Sequence, residues 1–172
     1  PTIFAEDQLP AIRANPGYLK QRGYKVFSSL GSDAVEVDPE RIGIWGSSYG
    51  GLMTAMSLFK KPGLYKAGVA SAPATNVWHA MTGQVNVAGR PNTHPEVYRK
   101  VSAVSYGEDL RDHLLILHGM KDTIVLFKDS VTLAEKLMLL GKDFDFAVAP
   151  NAVHEWSTKD YVARFFLKKI VD

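Results

Sequence analysis

Hydrophobic positions in this chain fall into short blocks that alternate between a strand-like and a helix-like period. Ile42 to Trp45 is a compact run of the kind a buried strand carries. Leu52 to Phe59 spaces Leu52, Met53, Ala55, Met56, Leu58 and Phe59 as a helix does, and Lys61-Pro62-Gly63 ends it. Ala67 to Ser71 is a second short run, stopped by Ala72-Pro73-Ala74. Leu114 to His118 is apolar up to its terminal histidine, the mark of a central parallel strand covered on both faces. Asp129 to Leu140 is amphipathic through Val131, Leu133, Ala134, Leu137 and Met138, and Gly141 closes it. Phe144 to Val148 predicts another strand. Thr158 to Ile170 predicts a C-terminal helix carrying Tyr161, Val162, Phe165, Phe166 and Ile170. Strands alternating with helices predict an α/β fold with a mostly parallel sheet and helices on both faces. In such sheets ligands gather at the carboxyl ends of the strands.

Two stretches are less regular. In residues 1–40, Glu6 to Ala14 suggests a helix that Pro10 restricts to its start. Asn15-Pro16-Gly17 reads as a turn, Tyr18 to Arg22 as one or two helical turns, and Tyr24-Lys25-Val26-Phe27 alternates like a strand. Residues 74–107 hold no sustained period and contain Pro91, Pro95 and three glycines at 83, 89 and 107. They predict a long excursion with short helices at Trp78 to Met81 and Pro95 to Lys100. A segment of that kind in a compact domain is often a lid or a binding loop.

Composition narrows the classes. The 172 residues are one domain's worth of chain, and the 46% apolar fraction is that of a globular protein. A net charge of +2, with no basic run beyond pairs such as Lys60-Lys61 and Lys168-Lys169, gives no reason to expect nucleic acid or an anionic membrane as partner. Without cysteine there is neither a disulfide nor a thiolate metal site. No apolar run approaches the ~20 residues that span a bilayer, and the N-terminal stretch is not a signal peptide, so a soluble chain of open compartment is expected. The first residue is Pro1, which suggests a processed chain or a fragment.

The chemistry concentrates in Gly46-Ser47-Ser48-Tyr49-Gly50, which fits G-x-S-x-G between the strand and the helix and so reads as a nucleophile elbow. A tight turn strains the serine backbone, and side chains two residues away on either side are expected to collide there. The turn exposes Ser48 and aims the Tyr49 N–H and the helix N-terminus at developing negative charge. Ser47 is the poorer nucleophile, because Trp45 and Tyr49 flank it at those spacings. The plain alternative is a Gly-Ser turn without chemistry.

A serine hydroxyl needs a base, and the base needs a carboxylate to hold its tautomer. In this fold their chain order is serine, acid, histidine. Asp122 lies just past the strand ending at His118, and His154 just past the strand ending at Val148. With Ser48, all three follow carboxyl ends of strands. Asp122 also suits a turn-forming role beside Lys121 and Thr123. His118 reads as a brace for its loop, His79 and His94 fall in the irregular segment, and His113 precedes its strand. Asp129 reads as a helix N-terminal residue, Asp112 as a pre-strand loop residue, and Glu155 as solvated. No His/Asp/Glu cluster has metal spacing, and there is no P-loop or G-x-G-x-x-G, so no metal or cofactor is expected.

With these residues in place, the chain resembles the catalytic domain of the prolyl oligopeptidase family of serine peptidases, its dipeptidyl peptidase IV-like branch above all. The matching text is Asp38 to Gly51, Tyr65 to Pro73, Leu114 to Gly119 with Asp122, and Pro150-Asn151-Ala152-Val153-His154. The resemblance implies an α/β-hydrolase fold and an acyl-enzyme mechanism acting on a peptide or small ester. Ser48 would be nucleophile, His154 base, Asp122 its orienter and the Tyr49 amide one oxyanion donor. The expected organisation is a single partial catalytic domain over residues 1–172, with N-terminal strands missing and no β-propeller. The upstream strand and loop that supply the second oxyanion donor in the family are not found in residues 1–40. Ser47 stands where the dipeptidyl peptidase branch commonly has Trp, and Ile124 where it has Asn. The paired tyrosines that follow the branch's Ala-Pro are absent after Ala72-Pro73, where Trp78 and His79 stand nearby. Trp78 is thus a substrate-pocket candidate, with a core role equally open. A carboxylesterase using the same triad and an inactive hydrolase-like module remain alternatives.

Overall fold

The structure, a computed structural model, describes residues 42–79 and 89–171. The expected helix at Glu6 to Ala14 and strand at Tyr24 to Phe27 lie outside these residues, as does the end of the Trp78 to Met81 helix.

Among the described residues, four strands form a sheet in which every neighbouring pair is parallel. They are β1 (Gly43–Ser47), β2 (Ala67–Ser71), β3 (His113–Gly119) and β4 (Asp145–Ala149), and their order in space is their order in the chain. The register aligns Ser47 with Ser71 and Ser71 with Leu117, so β1 and β2 finish level, while β3 and β4 run two residues further and end paired at Gly119 and Ala149. The helices are α1 (Tyr49–Lys60), α2 (Pro95–Val101), α3 (Phe127–Leu139) and α4 (Asp160–Val171).

Because crossovers between parallel strands share one hand, a sheet wound in chain order receives its connecting helices on one face. Leu52, Ala55, Leu58 and Phe59 of α1, Tyr98 of α2, and Leu133 and Leu137 of α3 pack there with Ala70, Leu114 and Ile116. After β4 the chain crosses over. Trp156, Val162 and Phe166 cover the opposite face against Leu117, Ala147 and Ala149. The alternation within β3 explains why its sequence reads as unbroken apolar: Ile116 faces one core and Leu117 the other, and both are fully buried.

Several boundaries differ from the sequence reading. Helix α1 starts at Tyr49, three residues before Leu52, because the elbow passes straight into it. The predicted helix from Thr158 is instead a 3-10 turn at Trp156–Thr158 followed by α4 from Asp160. The Trp78 helix is a 3-10 turn at Val77–His79. Gly141, at φ 64°, ends α3 as expected: its N–H reaches Met138 O at 3.0 Å, and the Lys142 N–H reaches Leu137 O at 2.9 Å. Part of the described irregular segment packs into the core. Val77, Tyr98 and Ala103 are buried, and Ser102 Oγ accepts the Val77 N–H at 2.9 Å.

Candidate active site

Between β1 and α1 the chain turns through one residue. Ser48 sits at φ 59° and ψ −118°, a conformation that a non-glycine residue holds only when its surroundings impose it. Its N–H donates to Ser71 O at 2.9 Å, and its carbonyl accepts the first intrahelical bond, from Leu52 N–H at 3.1 Å. The Tyr49 N–H belongs to the first turn of α1, whose donors have no partner within the helix. A Cβ on Gly46 would run into the Gly50 carbonyl and come within 2.9 Å of Gly50 Cα, so the turn needs glycine there. A Cβ on Gly50 would meet nothing within 4 Å, which corrects the expectation that both glycines avoid a collision. The close approach is real, but only Gly46 faces it.

Asp122 lies in the loop after β3 and is buried, with a side chain at 0% exposure. Its Oδ1 accepts the Ile124 and Val125 N–H groups at 2.8 and 2.9 Å, the turn-forming role considered above. Those two bonds fix the carboxylate plane and leave Oδ2 2.7 Å from His154 Nδ1. The carboxylate therefore holds the proton on Nδ1 and leaves the Nε2 lone pair available. The His154 side chain is 19% exposed, accessible but seated. Backbone bonds lace its loop to the Asp122 loop: Met120 N–H to Ala149 O and Lys121 N–H to Ala152 O, both at 3.0 Å. A Cβ on Gly119 would come within 2.5 Å of Ala152 O, so this glycine lets the two loops touch. Sequence reasoning passed over Gly119, although its position directly after the strand was a signal.

His118 braces the loop as expected, and it also reaches the carboxylate. Its Nε2 lies 3.0 Å from Val125 O and 3.2 Å from Asp122 Oδ2, and its Nδ1 lies 2.7 Å from Ser130 Oγ. Nε2 thus carries the proton and Nδ1 accepts from the serine hydroxyl. Burial pushes the His118 pKa down, against the opposing pull of the Val125 carbonyl and Asp122.

The other candidates lie elsewhere. Asp112 accepts the Gly63 N–H at 2.7 Å and His113 opens β3, both at the amino ends of the strands. His94 bonds Thr93 within its own loop. Asp129 is in the first turn of α3, as read, but its carboxylate also meets His79 Nδ1 at 2.5 Å, a further His–Asp pair, apart from Asp122, that the sequence did not disclose. Trp78 is 46% exposed, with its ring 5.4 Å from that of Tyr98. Among the described residues, no hydrogen bond joins Ser48 Oγ to His154. Such contacts tighten in substrate complexes. No group of three or more His, Asp or Glu among the described residues could hold a metal.

Residues 23–171 match the prolyl oligopeptidase family along nearly the whole chain. The chain belongs to that family. Among its relatives, pig (Sus scrofa) dipeptidyl peptidase 4 is 31% identical over 167 residues, covering 90% of this chain and 20% of that protein. Mouse (Mus musculus) prolyl endopeptidase FAP is 33% identical over 144 residues, covering 81% of this chain and 17% of that protein. The solved dipeptidyl peptidase 4 of Porphyromonas gingivalis superposes with a TM-score of 0.72 at 30% identity, covering 78% of this chain and 20% of that one. An acylaminoacyl peptidase superposes at 0.69 and 28% identity, covering 78% and 24%. The sheet and its helices are thus the α/β-hydrolase fold of these family peptidases. The chain spans about a fifth of the length of the relatives it matches.

Proposed function

We propose that this chain carries the catalytic residues of a serine peptidase working through an acyl-enzyme. Ser48 Oγ attacks the scissile carbonyl carbon while His154 Nε2 takes its proton. Asp122 keeps His154 in the required tautomer and stabilises the imidazolium that forms. The Tyr49 N–H stabilises the tetrahedral oxyanion. His154 then protonates the leaving amine. The same histidine activates the water that releases the acyl group and regenerates Ser48. The observation that carries this reading is the 2.7 Å contact between Asp122 Oδ2 and His154 Nδ1, with both Asp122 Oδ1 bonds already made to backbone N–H groups. A carboxylate needed only for its turn would not require an imidazole on its other oxygen.

The test is labelling with a fluorophosphonate, which demands an activated serine and little substrate fit. An adduct mapped to Ser48 and lost in Ser48→Ala and His154→Ala supports the assignment. A folded protein that does not label overturns it. The substrate class is a peptide, in line with the peptidases this chain is similar to. Cleavage after proline is the finer proposal, with Trp78 as a pocket residue. A panel of aminoacyl-prolyl anilides and short acyl esters checks both, and faster ester turnover would favour a carboxylesterase.

A further inference from the structure

Ser48 follows β1 and His154 follows β4, at opposite edges of the four described strands. Three strand spacings, about 14 Å, separate those strands. The loop after β4 must therefore fold back across β3 and β2 for its histidine to serve the serine. Asp122, in the loop after β3, holds His154 part of the way. The next holding point is two residues beyond the histidine. The Trp156 indole N–H donates to Ser71 Oγ at 2.7 Å, joining the β4 loop to the last residue of β2. Ser71 is fully buried and Trp156 is 5% exposed, so the bond is shielded from water. The indole is gripped from behind by Phe166 of α4, with ring centroids 5.2 Å apart at 81°. The carbonyl of the same Ser71 accepts the Ser48 N–H at 2.9 Å. The following Ala72 is held to β3 by its N–H on Leu117 O at 2.7 Å.

We infer that Ser71 and Trp156 form a positioning link that references the His154 loop and the nucleophile elbow to one residue. The side chain of Ser71 holds the loop bearing the base, and its carbonyl holds the backbone of the nucleophile. Neither residue touches the reacting atoms. Their work is to keep two loops from opposite edges of the sheet in register, where a misplacement of about 1 Å can cost about a hundredfold in rate. This link rests on the catalytic assignment of Ser48 and His154 above.

The test uses Trp156→Phe, which keeps a ring against Phe166 but removes the N–H, together with Ser71→Ala and the double variant. Fluorophosphonate labelling kinetics separate the probe's affinity, KI, from the chemical step, kinact. Well below the unfolding midpoint, each single variant is expected to lose about tenfold in kinact with KI unchanged. The double variant is expected to be no slower than the slower single one, because both changes break one bond. A purely structural role would lower the unfolding midpoint and leave kinact of the folded molecules alone, and that result overturns the link. If Ser71→Ala does not fold, Trp156→Phe carries the comparison. The bond has a readout independent of chemistry: the Trp156 indole proton is expected to exchange slowly in the wild type and quickly in Ser71→Ala. Unchanged exchange overturns the link even if the wild type labels at Ser48. A wild type that shows this protected proton but does not label Ser48 sinks the catalytic assignment, and with it the catalytic purpose of the link.

Discussion

His118 Nε2 lies 3.2 Å from Asp122 Oδ2, the oxygen that faces His154 Nδ1 at 2.7 Å. One carboxylate oxygen thus stands between a buried imidazole and a partly exposed one, and only the second can exchange protons with water readily. Burial lowers the His118 pKa, so the folded protein disfavours its protonated form. The unfolded chain binds that proton more readily. The stability His118 contributes is therefore fully present above its unfolded value of about 6.5, and is lost as pH falls through the folded value. Urea unfolding at a series of pH values from neutral to mildly acidic should show stability declining as pH drops. In His118→Gln that part of the slope should disappear, although the variant starts out less stable. An unchanged slope would remove His118 from the acid response.

Asp122→Asn separates the two jobs of this side chain. The amide oxygen can keep the Ile124 and Val125 N–H bonds, which turns the amide nitrogen toward His154. A donor there favours the tautomer with its proton on Nε2, which cannot accept from Ser48. The expected outcome is a loss of about 10⁴ in turnover with a folded protein. Steady-state kinetics on the best substrate of the panel, alongside circular dichroism, checks both halves. Retained turnover would mean that Asp122 is only a turn former.

The elbow glycines should differ. Gly46→Ala forces a Cβ into the Gly50 backbone and should cost about 3 kcal/mol. Gly50→Ala enters open space in the first turn of α1 and should change stability by less than about 1 kcal/mol. Chemical denaturation of the two variants side by side decides this, and equal losses would contradict the geometry.

Ser48→Gly should relieve the strain at φ 59°. Strain of this kind costs on the order of 1–3 kcal/mol, and glycine returns up to about 1 kcal/mol of that through chain entropy. A net gain of about 1 kcal/mol together with complete loss of labelling is expected. A variant no more stable than the wild type would mean that the turn stores little strain.

The periods of the apolar blocks and the punctuation between them were sufficient for β2 at its observed bounds, for β3 and β4 to within a residue, and for α1 and α3 to within a few. They also showed that Ser48, Asp122 and His154 each follow a strand. These features are local, because a turn, a cap or an amphipathic face is written in neighbouring residues. The Gly46 requirement was legible for the same reason, and the error at Gly50 came from not knowing which backbone faces which. Pairing across the chain was not legible. The Asp122–His154 contact joins residues 32 apart, the His79–Asp129 pair residues 50 apart, and the Trp156–Ser71 bond residues 85 apart. Side-chain type alone does not choose among such partners. Sheet order and register, the approach allowed at Gly119, and the crossing of the chain after β4 choose them, and these exist only once strands distant in sequence have been packed side by side.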